Sequence, residues 1–301
     1  MLQTLMQILL SAISLGLLWA IMTIGVYITY RILDIADLSV EGSITMGAAI
    51  AATSIYHGMN PFAACALAVL GGMAAGLVTG LLHTKLKIPA LLSGILTMIA
   101  LYSVNLRIMG KANVSLLRME TVYSKFETMG LDKTNAVILF GLICVLGVIG
   151  ILYWFFGTEI GCGIRATGNN PQMARAQGIN TNTMIILGLI VSNGLVALSG
   201  ALIAQSQGFA DIQMGIGSIV IGLASVIIGE VLFGKKSFFS RLIALALGAL
   251  TYRIIIAAVL QMGMPANDLR MFTAITVAFA LSLPVLKTYL TPLKKSMKGG
   301  M

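Results

Sequence analysis

What most constrains this chain is a succession of long runs almost free of charge. Apolar segments fall near residues 5–30, 61–83, 88–106, 135–156, 183–205, 213–233, 242–261 and 270–286, with a weaker one near 38–56. The eight strong runs match the roughly 20 apolar residues that cross a bilayer as a helix. Backbone groups in hydrocarbon must satisfy one another, and runs of this length without two-residue alternation are helices, not barrel strands. Composition agrees: 10% of the 301 residues are charged, against about 25% in soluble domains. The expected fold is an all-α polytopic membrane protein, with about eight full transmembrane helices plus one short or broken membrane segment. It forms a single transmembrane domain over 1–301 with no separate soluble domain. The first run has no basic residue before Arg31 and no small-residue cleavage site after a short core, so it is expected to be a retained span and not a signal peptide.

The formal charge of +9 would point to nucleic acid in a soluble protein; here its placement orients the chain. Loops 84–87, 157–182, 234–241 and the tail from 287 carry eleven Lys and Arg against the single acid Glu159. The alternate loops hold six basic residues and five acids. Basic loops stay inside, so the C-terminus is expected in the cytoplasm. Cys65, Cys144 and Cys162 make no Cys-x-x-Cys pair, and no structural disulfide is implied.

Two stretches resemble each other. Residues 36–49 read ADLSVEGSITMGAA and residues 210–224 read ADIQMGIGSIVIGLA, each after a long apolar run. Gly-interrupted segments at matching positions point to an architectural repeat and to a transport path, although Gly, Ala, Ser and Ile also recur by chance in membrane sequence. If 38–56 crosses the membrane, the copies lie on opposite sides, as an inverted repeat requires. If it is re-entrant, they lie on the same side.

Polar groups at membrane depth are costly and default to a functional reading. Asp37, Ser39, Glu41 and Ser43 cluster in the first copy, Asp211 and Ser218 lie in the second, and Asn193 leads up to it. These seven are the candidate substrate-path residues, alongside the plainer reading that the acids cap a helix or sit in an interfacial loop. Neutral polar groups with a few acids fit a small polar or zwitterionic solute better than a lipid. Arg253, inside an apolar run, is compatible with an ion pair, a carbonyl contact or snorkelling. Gly72, Gly76 and Gly80 form overlapping G-x-x-x-G pairs that admit another backbone, within the chain or from a second copy.

The loop 157–182 reads GTEIGCGIRATGNNPQMARAQGINTN. Asn170 followed by Pro171 is a helix start and Gly178 a left-handed stop, so a two-turn helix is expected over 171–177. A helix that short is marginal alone in water and must dock on something. This string, with Ser192 and Asn193 in the following span and the first-span sequence TYRILDIADLSVEGSITMGAA, resembles the permease subunits of bacterial ABC importers of the branched-chain amino acid and ribose type. Within it, the chain is similar to a subgroup assigned to aromatic or other amino-acid-like solutes.

The resemblance implies a multi-pass subunit of the bacterial inner membrane that pairs with a second copy. It also implies an extracytoplasmic solute-binding protein and two cytoplasmic P-loop ATPase subunits. The loop helix is then the coupling helix, and Arg165, Asn169, Pro171, Ala174, Arg175 and Gly178 match its pattern, with Ala174 and Arg175 facing the ATPase. ATP and Mg belong to that partner; no cofactor and no metal are expected in this chain, and no nucleic-acid partner. Gly229, Gly234 and Lys235 do give G-x-x-x-x-G-K, but Lys236 stands where Ser or Thr must hold Mg²⁺. Glu230 there is expected to support the inner end of its span. His57 and His83 are far apart and no hydrolase or metal motif is present, so enzyme chemistry is not expected. The alternatives are an ion-coupled secondary transporter using Asp37, Glu41 and Asp211 and, behind it, a passive channel.

Overall fold

The computed structural model describes residues 2–128, 130–234 and 237–261, with Met271, Ala274, Ile275, Ala278 and Ser282 beyond them. Eleven helices and two short strands follow in order: α1 (Leu2–Tyr27) running into a π-helical turn (Ile28–Ile32), α2 (Ser39–Tyr56), α3 (Pro61–Thr84), α4 (Ala90–Met109), β1 (Asn113–Ser115), α5 (Ser124–Glu127), α6 (Lys133–Phe155), α7 (Glu159–Asn169), α8 (Pro171–Ala176), α9 (Thr181–Gln207), β2 (Phe209–Asp211), α10 (Ser218–Phe233) and α11 (Phe238–Gln261). Six of them are long and apolar enough to cross a bilayer: α1 with its π turn, α3, α4, α6, α9 and α11. The expected span over 213–233 is a 16-residue helix that begins only at Ser218. The weak segment 38–56 is a complete helix of 18 residues. The expected span 270–286 and the basic tail lie outside the described residues.

Helix α9 is the mast of the bundle. Its Ser192 and Ser199 hydroxyls donate to the carbonyls of Gly25 and Leu18 on α1, at 2.8 Å each, which sets the two helices antiparallel. The three glycines of α3 turn toward α9: a Cβ at Gly72 would overlap the Asn193 carbonyl, one at Gly76 the Leu189 carbonyl, and one at Gly80 would come within 3.1 Å of the Ile186 Cα. The small-residue stripe therefore packs within the chain. Helix α2 approaches α9 as closely, with Gly47 on the Ala197 carbonyl and Gly200 on the Ile44 carbonyl.

These contacts fix directions. Helix α1 descends along α9, α2 climbs from Ser39 and Ser43 beside Asn193 to Gly47 beside Ala197, and α3 descends again. Helix α10 descends beside α1, with Gly222 against Met22 and Val26, and α11 climbs, with Gly248 against Ser225 and Gly229. The pair α1–α2 thus runs opposite to α9–α10. Short strands β1 and β2 pair antiparallel, Val114 opposite Ala210, and tie the α4 and α9 ends together. The turn after α3, the α7–α8 segment and the start of α11 share the opposite end.

Substituting Gly76 by Leu forces side-chain atoms into the α9 backbone. The expected cost is about 3 kcal/mol, the upper part of the overpacking range, read as a lowered thermal midpoint in detergent. Leu77→Ile, on the exposed neighbouring position, is expected to leave the midpoint within a degree or two, about what 0.5 kcal/mol gives. Equal midpoints for the two variants would remove the packing assignment.

Candidate functional site

Both α2 and α10 begin inside the bundle, so their first N–H groups lack the water that serves most helix starts. Ser39 lies beside Asn193, which is about 18 Å up α9 from Thr181 at 1.5 Å per residue. The chain meets the need with side chains. Asp37, 2% exposed, accepts at Oδ1 from the Ser39 N–H at 2.9 Å and the Ser39 hydroxyl at 2.5 Å. Its Oδ2 accepts from Asn193 Nδ2 at 2.9 Å. Asn193 Oδ1 accepts in turn from the Ser43 hydroxyl at 2.5 Å, and Nδ2 also donates to the Leu189 carbonyl at 3.1 Å. Four of the expected path residues, Asp37, Ser39, Ser43 and Asn193, therefore form one buried clasp between α2 and α9.

The second copy meets the first at Glu41. This half-buried carboxylate accepts the Gly217 N–H at 2.9 Å and so caps the start of α10. Gly217 holds φ +80, a left-handed turn that glycine adopts without penalty. Gly215 is pressed on the Glu41 carbonyl and the Thr45 hydroxyl, where no Cβ fits. Ser218 is fully buried and its hydroxyl has no hydrogen-bond partner. Asp211 departs from the expectation. It sits in β2 at the bundle end, where Oδ1 accepts the Gln213 N–H at 2.7 Å in a turn, so the sheet contact keeps it away from the clasp.

Beside the clasp the surface is irregular backbone. Ala36, Gln213 and Ile216 are exposed, and Glu41 and Gly217 are half-exposed. Non-helical backbone at hydrocarbon depth faces protein or a water-filled cavity, never lipid. Gln213 is one of the polar residues of the second copy but is not among the seven candidates, and Ile216 gives no polar signal, because polarity alone ranks the buried serines above these exposed positions.

At the opposite end, α8 forms as expected. Asn170 Oδ1 accepts the Met173 N–H at 3.0 Å, Pro171 takes the first position, and Gly178 turns left-handed at φ +84. Arg175 Nε donates to the Thr181 hydroxyl at 2.8 Å and pins α8 to the start of α9. Ala174 is corrected: it is 2% exposed and packs inward. Met173, 58% exposed, shares the outer face with Pro171 and Arg175. A small apolar residue between long ones on an amphipathic helix marks the inner side, a signal the sequence did carry. Arg165 and Asn169 lie on α7 and face a separate cleft toward the π turn and α11.

Two further buried charges have clear roles. Glu230 holds Arg31 at 2.7 Å, which ties the inner ends of α10 and α1 together. Arg253 stacks its guanidinium 4.3 Å from the Trp19 ring centroid. That is a cation–π contact, an answer outside the three the sequence left open.

A bundle of apolar helices, two of which start inside it, with a surface helix docked at one end is the architecture of an integral-membrane transport subunit. The chain belongs to the family described as branched-chain amino acid transport system / permease component, whose model matches residues 8–281. It is an ABC transporter permease of the importer type, and the ATPase of such systems is a separate subunit. It is 44% identical over 270 residues to a tyrosine transport system permease protein of Clostridioides difficile (strain R20291), covering 89% of this chain and 88% of that one. It is 34% identical to an uncharacterized protein of Rickettsia prowazekii (strain Madrid E), covering 92% and 98%. An autoinducer 2 import system permease protein of Photorhabdus luminescens is 28% identical over 58% of this chain and 51% of its own. Among solved structures, PsaBC from Streptococcus pneumoniae in complex with Fab aligns with a TM-score of 0.54 at 12% identity, over 93% of this chain and 95% of that one. At that identity the likeness is one of fold.

Removing the amide of Asn193 leaves the Asp37 carboxylate and the Ser43 hydroxyl short of a buried partner. Asn193→Leu is expected to cost about 3 kcal/mol, measured by thermal unfolding in detergent, whereas Gln213→Ala at the exposed strip is expected to stay within about 0.5 kcal/mol. A stable Asn193→Leu protein would show that the clasp contributes little.

Proposed function

We propose that this chain is the translocating subunit of an ATP-driven importer for a small zwitterionic solute of the tyrosine or related amino-acid type. Two copies form the membrane unit, two P-loop ATPase subunits drive it, and an extracytoplasmic binding protein delivers the solute. ATP and Mg reside on the ATPases, and this chain binds no cofactor or metal. The chain sits in the bacterial inner membrane with its C-terminus in the cytoplasm, as the loop charges require. The observation that carries the reading is α8: a capped surface helix, docked through Ala174 and the Arg175–Thr181 bond, whose Met173 and Arg175 still stand exposed beside the basic loops. The amino-acid class rests on the Clostridioides difficile relative and on a path surface that offers Glu41, Gln213 and backbone groups in place of a dense charge cluster.

The ion-coupled alternative needs acids with coordination to spare. Asp37 instead receives three donors from Ser39 and Asn193, and Glu41 is held on the start of α10. Asp211 lies at the bundle end. The path runs along the strip of Ala36, Glu41, Gly217 and Gln213, between the two copies.

Purification of the tagged protein from native membranes in mild detergent is expected to recover a P-loop ATPase in equal amount. A lone homo-oligomer, from a preparation that retains other known complexes, would overturn the assignment. In reconstituted vesicles, Arg175→Glu is expected to lower transport per ATP hydrolysed by about tenfold or more, as a reversed charge at a docking surface does. Thr181→Val, which removes only the internal bond, keeps coupling. Cysteine placed at Gln213 is expected to react with a membrane-impermeant reagent in a nucleotide-dependent way, and cysteine at Ser43 to stay protected. The reverse pattern would move the path elsewhere.

A further inference from the structure

We infer that the end of the bundle carrying α7 and α8 holds a binding site for the phosphate of an anionic lipid headgroup. The site is a cleft of about 810 Å³ where α7 crosses the joint between α1 and α11. Three arginines from three different elements line it: Arg31 on the π turn, Arg165 on α7 and Arg241 on α11. Asp34 stands on its wall, and Glu230 pairs with Arg31 at 2.7 Å, so the arginines exceed the acids by one. The Arg165 guanidinium lies 5.3 Å over the Phe238 ring. Arg165 is exposed, and a guanidinium carries five N–H donors in a fork that matches phosphate oxygens.

The depth of the cleft selects a lipid over a free anion. On the other side of Arg165 a second cleft of about 550 Å³ is walled by Tyr153, Trp154, Phe156 and Phe239. Trp154 is 71% exposed and Tyr153 55%, at the last turn of a span whose apolar surface faces outward. Exposed Trp and Tyr at a span end mark the headgroup layer. Basic pockets between helices on the cytoplasmic side are where acidic headgroups dock. A phospholipid fits both halves, its phosphate among the arginines and its glycerol and first acyl carbons over the aromatic shelf. Inorganic phosphate would leave that shelf uncovered. The site requires only that the chain spans a membrane, and stands apart from the transport assignment.

The test uses the full chain, delipidated in detergent, with phosphatidylglycerol or phosphatidylcholine added at matched concentration and retention read by native mass spectrometry. The wild type is expected to retain phosphatidylglycerol preferentially. The Arg165→Ala, Arg241→Ala double variant is expected to lose that preference by about thirtyfold, roughly what two arginines near a headgroup contribute. Lys133→Ala, at the far end of α6, is expected to leave it unchanged. If the double variant does not give monodisperse protein, Arg165→Ala alone, an exposed position, is expected to lower retention by about threefold. Equal retention of the two lipids, or a preference untouched by the variants, overturns the proposal. Full displacement of the lipid by inorganic phosphate assigns the cleft to a free anion and overturns it too. The same follows if the variants abolish capture of an ATPase partner while lipid retention is unchanged.

Discussion

Two helix starts inside the hydrocarbon layer impose the problem that the rest of the bundle answers. A helix that begins in water leaves its first N–H groups to solvent; one that begins in lipid must find acceptors in the protein. Helix α2 uses Asp37 and α10 uses Glu41, and both carboxylates also complement the positive ends of the helices they serve. Each solution creates a second demand, because a carboxylate at that depth needs donors of its own. Asn193 and Ser39 supply them at Asp37, and the Gly217 N–H supplies one at Glu41. The polar residues that a hydropathy scan registers as anomalies are thus a closed set of hydrogen-bonding obligations.

That closure dictates how near the helices come. For Asn193 to reach Asp37 and Ser43 together, α2 must lie almost in backbone contact with α9, which the Gly47–Ala197 and Gly200–Ile44 approaches permit. Association within a membrane gains little from apolar burial, since lipid tails are as apolar as leucine, and relies on close packing and interhelical hydrogen bonds. The same economy appears on α3, whose three glycines turn to the same mast, and on α10 against α11, where Gly229 meets the Ala244 carbonyl. Small residues and buried polar groups act here as one device: the first brings the backbones together and the second fixes their register.

Much of this was legible in the sequence, and the exceptions are instructive. Six of the long apolar runs, the Asn170–Pro171 start and Gly178 stop of α8, and the G-x-x-x-G face of α3 depend on local chemistry and stand where expected among the described residues. Asp37, Ser39, Ser43 and Asn193 were identifiable as a group because polarity at depth is rare. What they do was not, since the Asp37–Asn193 bond joins residues 156 apart. Asp211 shares its Ala-Asp context with Asp37 yet is claimed by a strand pairing that two three-residue segments cannot announce. The late start of α10 is set by Glu41, from the other copy, and not by its own apolar run. Ala174 turns inward, not toward a partner, because helix phase places it on the side of α8 that meets α9, and Met173 takes the exposed side.

The repeat also relates the two ends of the molecule. Gly168, at the end of α7, packs directly on the Ile32 carbonyl, and Gly188 on α9 packs on the Leu33 side chain. Ile32 closes the π turn, whose hydrogen bonding is already widened relative to the rest of α1; such turns cluster at functional sites. Five residues further on stands Asp37. Under the importer reading, an ATPase that shifts α8 loads α7 through the shared Asn170 junction, and α7 bears first on the weakest-bonded turn of α1. Neither side of the Gly168 contact has a side chain to cushion it, so a displacement there passes into the segment 33–38 and from it to the clasp. The clasp holds Asp37 through protein donors, and the start of α10 is tied to α2 through Glu41. Under that reading, α2 links the two ends: its start carries Asp37 and Ser39 next to the loaded segment, and its Glu41 holds the start of α10.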